Sequence, residues 1–225
     1  MIKDQVRQRI LEIGIVPVVR AASPQHAIAA TRAVSAGGIT VVEITMTVPG
    51  ALDVIKELVS SNSQNLLVGA GTVMNAKAAQ QCLDAGAEFL VSPGFDPATV
   101  KLANAAGKLI MAGALTPTEV MTAWDAGADF IKIFPCSAVG GASYIKALKG
   151  PMPKIPFIPT GGVNLKTAAD FIRAGAAALG VGGELVMPSA LASGDTKAIT
   201  DLAKQFVALV REVRESEQAL AEAKT

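Results

Sequence analysis

The chain has 225 residues, which suits one large domain, and 51% of them are hydrophobic while only 4% are aromatic, so an aliphatic core is expected. The net charge is +1 and no basic block stands out, which argues against a nucleic-acid partner. No apolar run approaches the roughly 20 residues that a membrane span needs. Cys82 and Cys136 lack the spacing of a metal site and are expected to be reduced thiols of a cytosolic protein.

The first predicted element is an amphipathic helix over residues 1–14, in which charges occur throughout, unlike a secretory signal peptide. After it, one unit recurs: a helix that ends in Ala-Gly or Gly, followed at once by a short apolar strand. The glycine of each unit is expected at the C′ position of its helix, in the left-handed conformation that ends the helix. These glycines are Gly37, Gly86, Gly107, Gly127 and Gly175.

The apolar runs after these glycines predict parallel strands, because such strands are buried on both faces and lack clean alternation. The eight predicted strands lie at residues 15–20, 39–44, 66–70, 88–92, 109–112, 129–133, 156–159 and 177–181. Two further helix-to-strand boundaries, at 60–65 and 149–156, have a different turn chemistry. Helix starts are predicted at prolines in the first helical position and at asparagine N-caps. These residues are Pro24, Pro49, Pro97, Pro117, Asn75 and Asn164.

Eight strand–helix units in succession predict an α/β fold, a single (β/α)8 TIM-barrel domain over residues 1–225 with an additional N-terminal helix. The alternative is an open doubly wound sheet, which usually carries a glycine-rich nucleotide loop after its first strand. The segment VVRAASPQHA that follows the first strand lacks such glycines, so the barrel is favoured. The charged stretch 211–225 is predicted to be the solvated end of the last helix or a tail.

Two charged residues interrupt apolar strands: Lys132 in DFIKIF and Glu43 in VVEIT. Burying a lone charge is costly, so each of them needs a partner or a purpose. Alternation turns Ile131 and Ile133 toward the covering helices and leaves Lys132 facing the lumen, and the same pattern turns Glu43 inward. Strands two and six lie opposite each other in a ring of eight, so the two side chains are predicted to face each other across the barrel mouth.

An apolar lumen disfavours a charged lysine, which leaves a neutral amine free to attack a carbonyl group. A facing glutamate can move protons, directly or through a water molecule. Lysine and carboxylate without metal ligands indicate Schiff-base carbon–carbon chemistry. The alternative, a structural buried ion pair, is disfavoured because apolar residues would fill a barrel at lower cost. The single histidine, His26, falls in the helix after strand one and is expected to be exposed.

Chemistry in a barrel takes place at the carboxyl ends of the strands. Candidate residues at these ends are Arg20, Thr45, Thr47, Thr72, Ser92, Pro93, Phe134 and Thr160. Two glycine pairs follow the last two strands, Gly161 with Gly162 and Gly182 with Gly183. Barrels often bind phosphate with these two loops, through backbone N–H groups and a helix N-terminus. A tight turn would explain either pair alone, so the prediction of a phosphate site depends on the two pairs together.

Several segments together resemble one known family. They are VEIT at 42–45, GAGT at 69–72, SPGF at 92–95, IKIFP at 131–135, KALKGPMP at 146–153 and PTGGV at 159–163. They resemble the 2-keto-3-deoxy-6-phosphogluconate (KDPG) aldolases, which are grouped with the 4-hydroxy-2-oxoglutarate (KHG) aldolases, and the match runs in register from Ile15 to Val186. The resemblance implies a cytoplasmic, homotrimeric class I aldolase that needs no metal or cofactor. It implies cleavage of KDPG to pyruvate and glyceraldehyde 3-phosphate, a step of the Entner–Doudoroff pathway.

The resemblance also implies roles for individual residues. Lys132 would form the Schiff base, and Glu43 would be the acid/base. Thr72 would help to hold the substrate carboxylate, and Pro93 and Phe134 would wall the pocket. The residues that would line the pocket toward the phosphate are Thr160, Gly161 and Gly162, with Gly182 and Gly183 in the last loop.

This chain departs from the family at two places. Some members carry an arginine after the VEIT segment, where this chain has Thr47; Arg20 could supply the missing charge. Many members have a serine in the last phosphate loop, where this chain has Gly183 followed by Glu184. A carboxylate turned inward there would repel phosphate, so the resemblance leaves the preference for a phosphorylated substrate open.

Three other functions remain as alternatives. A KDPG aldolase and an aldolase for the galactonate epimer differ in how the pocket reads one stereocentre, which the motifs do not distinguish. A sugar-phosphate isomerase or synthase barrel would use the same glycine loops but does not need an opposed lysine and glutamate. A catalytically idle binding barrel would be expected to carry a non-reactive residue at position 132, where this chain has lysine.

Overall fold

The computed structural model describes residues 1–61 and 65–223. The first half contains α1 (Lys3–Ile13), β1 (Ile15–Val19), α2 (Pro24–Ala36), β2 (Val41–Thr45), α3 (Ala51–Ser60), β3 (Leu67–Gly71), α4 (Ala76–Asp84), β4 (Phe89–Val91) and α5 (Pro97–Ala105). The second half contains β5 (Leu109–Ala114), α6 (Pro117–Asp125), β6 (Phe130–Ile133), a 3-10 turn (Cys136–Val139), α7 (Ala142–Lys149), β7 (Phe157–Pro159), α8 (Ala168–Arg173), β8 (Leu179–Val181), α9 (Pro188–Ser193) and α10 (Thr196–Glu222). All eight predicted strands are present among these residues, and their ends agree with the prediction to within two residues.

The strands form one parallel sheet in the order β7-β6-β5-β4-β3-β2-β1-β8. Its two outer strands meet: Thr160 forms a parallel bridge with Gly180, and Ala177 N donates to Phe157 O at 2.8 Å. The sheet is therefore a closed (β/α)8 barrel, as predicted, and not an open doubly wound sheet.

The helix ends agree with the sequence pattern at most positions. Pro24, Pro97 and Pro117 occupy first-turn positions of α2, α5 and α6, and the Asn75 side chain caps α4 by accepting from Ala78 N at 2.9 Å. Gly86, Gly107, Gly127 and Gly175 all have positive φ angles, as expected for glycines that end helices.

Three predictions of helix ends were wrong. Pro49 precedes Gly50, which is the N-cap of α3, so this proline lies in the turn before the helix. Asn164 does not cap α8; its Oδ1 accepts from Lys166 N and Thr167 N in a separate turn. Gly37 has φ −84°, and it is the next residue, Gly38, that has φ +97°. In each case the predicted position in the helix is occupied by a residue one to three places further along the chain.

The boundary at 149–156 does use another turn chemistry. Lys149 Nζ donates to Pro153 O at 3.0 Å and Ile155 O at 2.8 Å, and it lies 5.5 Å from the centre of the Phe157 ring. A lysine side chain thus holds the turn that leads into β7. The other unusual boundary, at 60–65, falls largely outside the described residues.

The lumen is filled by side chains below its carboxyl end. The buried residues are Val16, Val41, Leu67, Phe89, Val91, Leu109, Met111, Phe130, Ile158 and Ala178, with Val6 and Ile10 of α1 at the amino end. Phe130 belongs to this group, whereas Ile131 and Ile133 pack with the outer helices, as alternation predicted. Because α1 closes the amino end, the functional groups are confined to the opposite mouth.

The charged C-terminal stretch continues α10 as predicted, and its side chains are exposed from Gln218 to Ala223, where the description ends. Among residues 1–61 and 65–223, no helix combines the length and the apolar character that crossing a membrane requires.

Candidate active site

Lys132 and Glu43 face each other inside the barrel mouth, as the strand positions predicted. Lys132 Nζ, on β6, lies 3.7 Å from Glu43 Oε1, on β2, which is an ion-pair separation but longer than a hydrogen bond. The two residues are only 4% and 2% exposed. Two ionisable groups therefore share a small space from which bulk water is almost excluded.

The electrostatic state of Glu43 is set mainly by its burial. Desolvation raises the pKa of Glu43, and the positive charges of Lys132 and Arg20 oppose this effect only in part. Glu43 Oε1 has no hydrogen-bond partner among the described residues. A carboxyl group with a raised pKa and a free oxygen is suited to take a proton and to return it, which is the behaviour required of an acid/base.

The residues after β6 and β7 form one side of the site. The centre of the Phe134 ring lies 5.6 Å from Lys132 Nζ, and a cis peptide bond joins Phe134 to Pro135. Cys136 N donates to Thr160 O at 2.9 Å, which ties the two loops together. The Thr160 hydroxyl is buried and has no hydrogen-bond partner in the described part of the chain, so it can bind an atom of a ligand.

Thr72, at the end of β3, has φ +56°. A left-handed conformation is unfavourable for a β-branched residue, and such strain is commonly retained where a ligand is bound.

The backbone of Pro93 packs closely against Gly113 of β5. A side chain at Gly113 would come within 3.0 Å of the Pro93 backbone, so only glycine allows this approach. Ser92 serves this packing, because its hydroxyl donates to Gly94 O at 2.7 Å and accepts from Gly113 N at 3.3 Å.

Arg20 and Thr47 are exposed and lie together in a cleft of about 320 Å³ at the mouth. Its other lining residues are Ala21, Ala22, His26, Pro188, Leu191 and Ala192. His26, expected to be exposed, is half-buried here because α9 packs near the start of α2. Local sequence patterns do not indicate this contact, because α9 begins at Pro188, far along the chain from His26. Thr47 Oγ1 lies 2.7 Å from Thr45 Oγ1, whose hydroxyl is buried and also contacts Val19 O at 3.0 Å.

The two glycine pairs differ in what they provide. Gly161 and Gly162 have φ +95° and +77°, and a side chain at Gly162 would come within 3.0 Å of Ser137, so this turn requires glycine. Gly182 has open space where a side chain would project, and Gly182 O accepts from Leu185 N and Val186 N at 2.9 Å. Gly183 and Glu184 are exposed beside it. The loop after β8 therefore leaves room for a ligand group, whereas the turn at Gly161 and Gly162 is closely packed.

Within residues 1–61 and 65–223, no group of three or more histidine, cysteine, aspartate or glutamate side chains is arranged to hold a metal ion. The polar groups that converge at the mouth are an amine, a carboxyl group and hydroxyls. They suit the binding and covalent capture of a small carbonyl compound.

Comparison with known proteins points to one family. The family model described as "KDPG and KHG aldolase" matches residues 6–202. The 2-dehydro-3-deoxy-phosphogluconate aldolase of Dickeya dadantii is 37% identical over 203 residues, which cover 89% of this chain and 94% of that protein. The KHG/KDPG aldolase of Escherichia coli K12 is 34% identical over 202 residues, with the same coverage. The structure of KDPG aldolase from Legionella pneumophila, with pyruvate captured as a covalent carbinolamine, has a TM-score of 0.82 at 28% identity and covers 89% of this chain and 97% of that one.

Proposed function

Because the chain belongs to the KDPG and KHG aldolase family, we propose that it is a class I aldolase that reversibly cleaves KDPG to pyruvate and glyceraldehyde 3-phosphate. The observation that carries the proposal is the buried amine of Lys132, 3.7 Å from the Glu43 carboxyl group. The family also makes cleavage of 4-hydroxy-2-oxoglutarate to pyruvate and glyoxylate a second candidate activity. Residues 1–225 are proposed to form one aldolase domain.

In the proposed mechanism the Lys132 amine attacks the C2 carbonyl carbon, and loss of water produces an iminium ion. Glu43 accepts the proton of the C4 hydroxyl, directly or through a water molecule. The C3–C4 bond then breaks, its electron pair moves into the iminium ion, and the aldehyde leaves. The resulting enamine takes a proton at C3 from Glu43, and hydrolysis releases pyruvate and the free lysine.

The remaining residues at the mouth would position the substrate. Thr72 and Arg20 would hold the carboxylate, and Thr47 lies beside Arg20 in the same cleft. Pro93 and Phe134 would confine the reacting carbon atoms so that C2 meets the amine in a productive geometry. Thr160 and the four glycines of the last two loops, Gly161, Gly162, Gly182 and Gly183, would accommodate the distal end.

The reaction class is tested by incubating the protein with pyruvate and sodium borohydride and mapping the reduced adduct by peptide mass analysis. An adduct on Lys132 is expected, and Lys132→Met should give neither adduct nor turnover. Glu43→Gln should lower the turnover rate more than the rate of adduct formation, because it removes proton transfer and leaves the amine. A folded wild-type protein that forms no adduct would overturn the Schiff-base mechanism.

Substrate preference is a separate question, because Glu184 is exposed next to the open space at Gly182. We propose that the phosphorylated substrate is preferred, since two glycine loops offer backbone N–H groups to an anion. The measurement is kcat/KM for KDPG, its galactonate epimer and 4-hydroxy-2-oxoglutarate. An increase in kcat/KM for KDPG in Glu184→Gln would show that this carboxylate weakens phosphate binding.

The finer biological setting is proposed from the family alone: a cytoplasmic enzyme of the Entner–Doudoroff pathway that acts as a homotrimer. Sedimentation velocity should then give a mass three times the 22.9 kDa of one chain.

A further inference from the structure

Gly71, at the end of β3, lies directly beside the Glu43 carboxyl group. A Cβ atom added at Gly71 would come within 3.0 Å of three atoms of Glu43: Oε1, Cδ and Cγ. Real Cβ atoms essentially never approach other atoms so closely. The volume that any side chain at position 71 would occupy is therefore the volume that the Glu43 carboxyl group occupies now.

The backbone of Gly71 has little freedom to move away from this contact. It is paired in register with Thr45 of β2, and its carbonyl oxygen accepts from Met46 N at 2.8 Å. Just beyond it, Val73 N donates to Val91 O at 3.1 Å on the side of β4. Strand β3 is thus held on both edges, so the flexible glutamate side chain would have to yield.

Gly71 is not required by backbone conformation. It is absent from the glycines with positive φ, so alanine can adopt its backbone angles without strain. What glycine provides here is space. This distinguishes Gly71 from Gly161 and Gly162, which need glycine for their turns.

We propose that Gly71 is a positioning residue for the aldolase reaction: its missing side chain keeps open the place in which the Glu43 carboxyl group lies buried, 3.7 Å from Lys132. The inference rests on the proposed function. The lumen on the amino-terminal side is filled by side chains that include Phe89 and Met111, so a displaced carboxyl group finds no room there and would leave its buried place beside the amine.

The experiment compares Gly71→Ala with Gly37→Ala. Gly37 follows α2 and has φ −84°, and a Cβ atom there would come within 3.0 Å of Ala203 Cβ and Thr200 O on α10, outside the lumen. Gly71→Ala should lower kcat by about 10²-fold, the typical contribution of a placed acid/base, and should change KM much less. Gly37→Ala should lower the melting temperature, because it crowds the contact between α2 and α10, without changing the pH dependence of kcat.

Two further measurements separate positioning from simple structural damage. The charged groups that act on Glu43 are Lys132 and Arg20, and burial outweighs both in raising its pKa. In Gly71→Ala the carboxyl group should lose part of that burial, so the acid limb of the kcat profile should move to lower pH. In a Glu43→Ala background the contact no longer exists, so adding Gly71→Ala should cause no additional loss of kcat. An equal loss in both backgrounds would overturn the proposal.

The outcome can also be read without catalysis, by following the titration of a labelled Glu43 carboxyl carbon by NMR. An unchanged titration in folded Gly71→Ala overturns this inference, whereas a missing pyruvate adduct on wild-type Lys132 overturns the proposed function. If Gly71→Ala alone fails to fold, recovery of folding in the double variant with Glu43→Ala supports the proposal. Failure of both variants to fold overturns it.

Discussion

Burial of the Glu43 carboxyl group disfavours its ionised form and so affects the stability of the folded chain. Because burial raises its pKa, the folded chain binds the Glu43 proton more tightly than the unfolded chain does. Binding of that proton stabilises the folded chain fully at pH values below 4.5, the ordinary pKa of a glutamate. This stabilisation is lost as the pH rises through the higher pKa of Glu43 in the folded state. At neutral pH the ionised carboxyl group therefore reduces the free energy of unfolding, as functional groups in enzymes often do.

Glu43→Gln should accordingly raise the melting temperature at pH 7, because the cost of burying the carboxylate exceeds the attraction to Lys132 and Arg20 that the variant loses. Each tenfold change in the ionisation equilibrium corresponds to about 1.4 kcal/mol. The gain should shrink as the pH falls to 4.5 and below, where both chains are uncharged at this position. Calorimetry between pH 4 and pH 8 measures it, with Glu57→Gln, an exposed glutamate on α3, as the control. The same gain in both variants would contradict this account.

At the scale of elements, Arg214 of α10 connects the last helix to α1 and to the segment before β8. Its guanidinium group donates to Leu11 O at 2.7 Å and Glu12 O at 3.0 Å, at the end of α1, and to Ala177 O at 3.0 Å, before β8. Gly14 makes room for this side chain, because a Cβ atom there would come within 3.0 Å of the guanidinium group. The helix that closes the amino end of the lumen is thus anchored by the last helix of the fold.

Arg214→Ala should lower the free energy of unfolding by about 1–3 kcal/mol, because it leaves partly buried carbonyl groups without donors. The matched control is Arg211→Ala, one turn earlier on the same helix. Arg211 is 79% exposed and forms a surface ion pair with Glu215, so the loss in Arg211→Ala should stay within about 0.5 kcal/mol. Denaturant unfolding measures both variants. Losses of equal size would show that the three carbonyl contacts contribute nothing specific.

At the scale of the whole molecule, the two thiols report how tightly the outer layer of helices packs on the barrel. Cys82 and Cys136 are both fully buried, and desolvation raises the pKa of each thiol to about 11. The thiolate, which is the reactive form, is therefore both inaccessible and scarce near neutral pH. The expectation of reduced thiols agrees with the described structure, in which neither cysteine forms a disulfide.

Native protein at pH 7.5 should therefore react with a maleimide only at the rate at which the barrel opens, and denaturant should raise that rate steeply. Mass spectrometry of the labelled protein follows the reaction. Cys82→Ala and Cys136→Ala show which thiol reacts first. Fast labelling of either thiol without denaturant would indicate local opening of the helix layer.

The sequence could predict the barrel because the pattern that carries it is local. Buried parallel strands are apolar on both faces, and the glycines that end the helices are read from neighbouring residues alone. The opposed positions of Lys132 and Glu43 followed from strand count and alternation, two rules that hold for any closed ring of eight. Exact helix ends were less predictable, as Pro49, Asn164 and Gly37 show, because a shift of one to three residues hardly changes the local pattern.

The sequence by itself determined the fold class, the inward direction of the Lys132 and Glu43 side chains, and the chemical character of the lumen. Only the tertiary structure decided the distance between Lys132 and Glu43, the burial that raises the Glu43 pKa, and the contacts of His26 and Arg214 with distant elements. It also showed that the Glu43 carboxyl group occupies the volume that a side chain at Gly71 would need. The physical reason is that periodicity depends on neighbours along the chain, whereas distance, desolvation and empty space depend on residues that folding brings together.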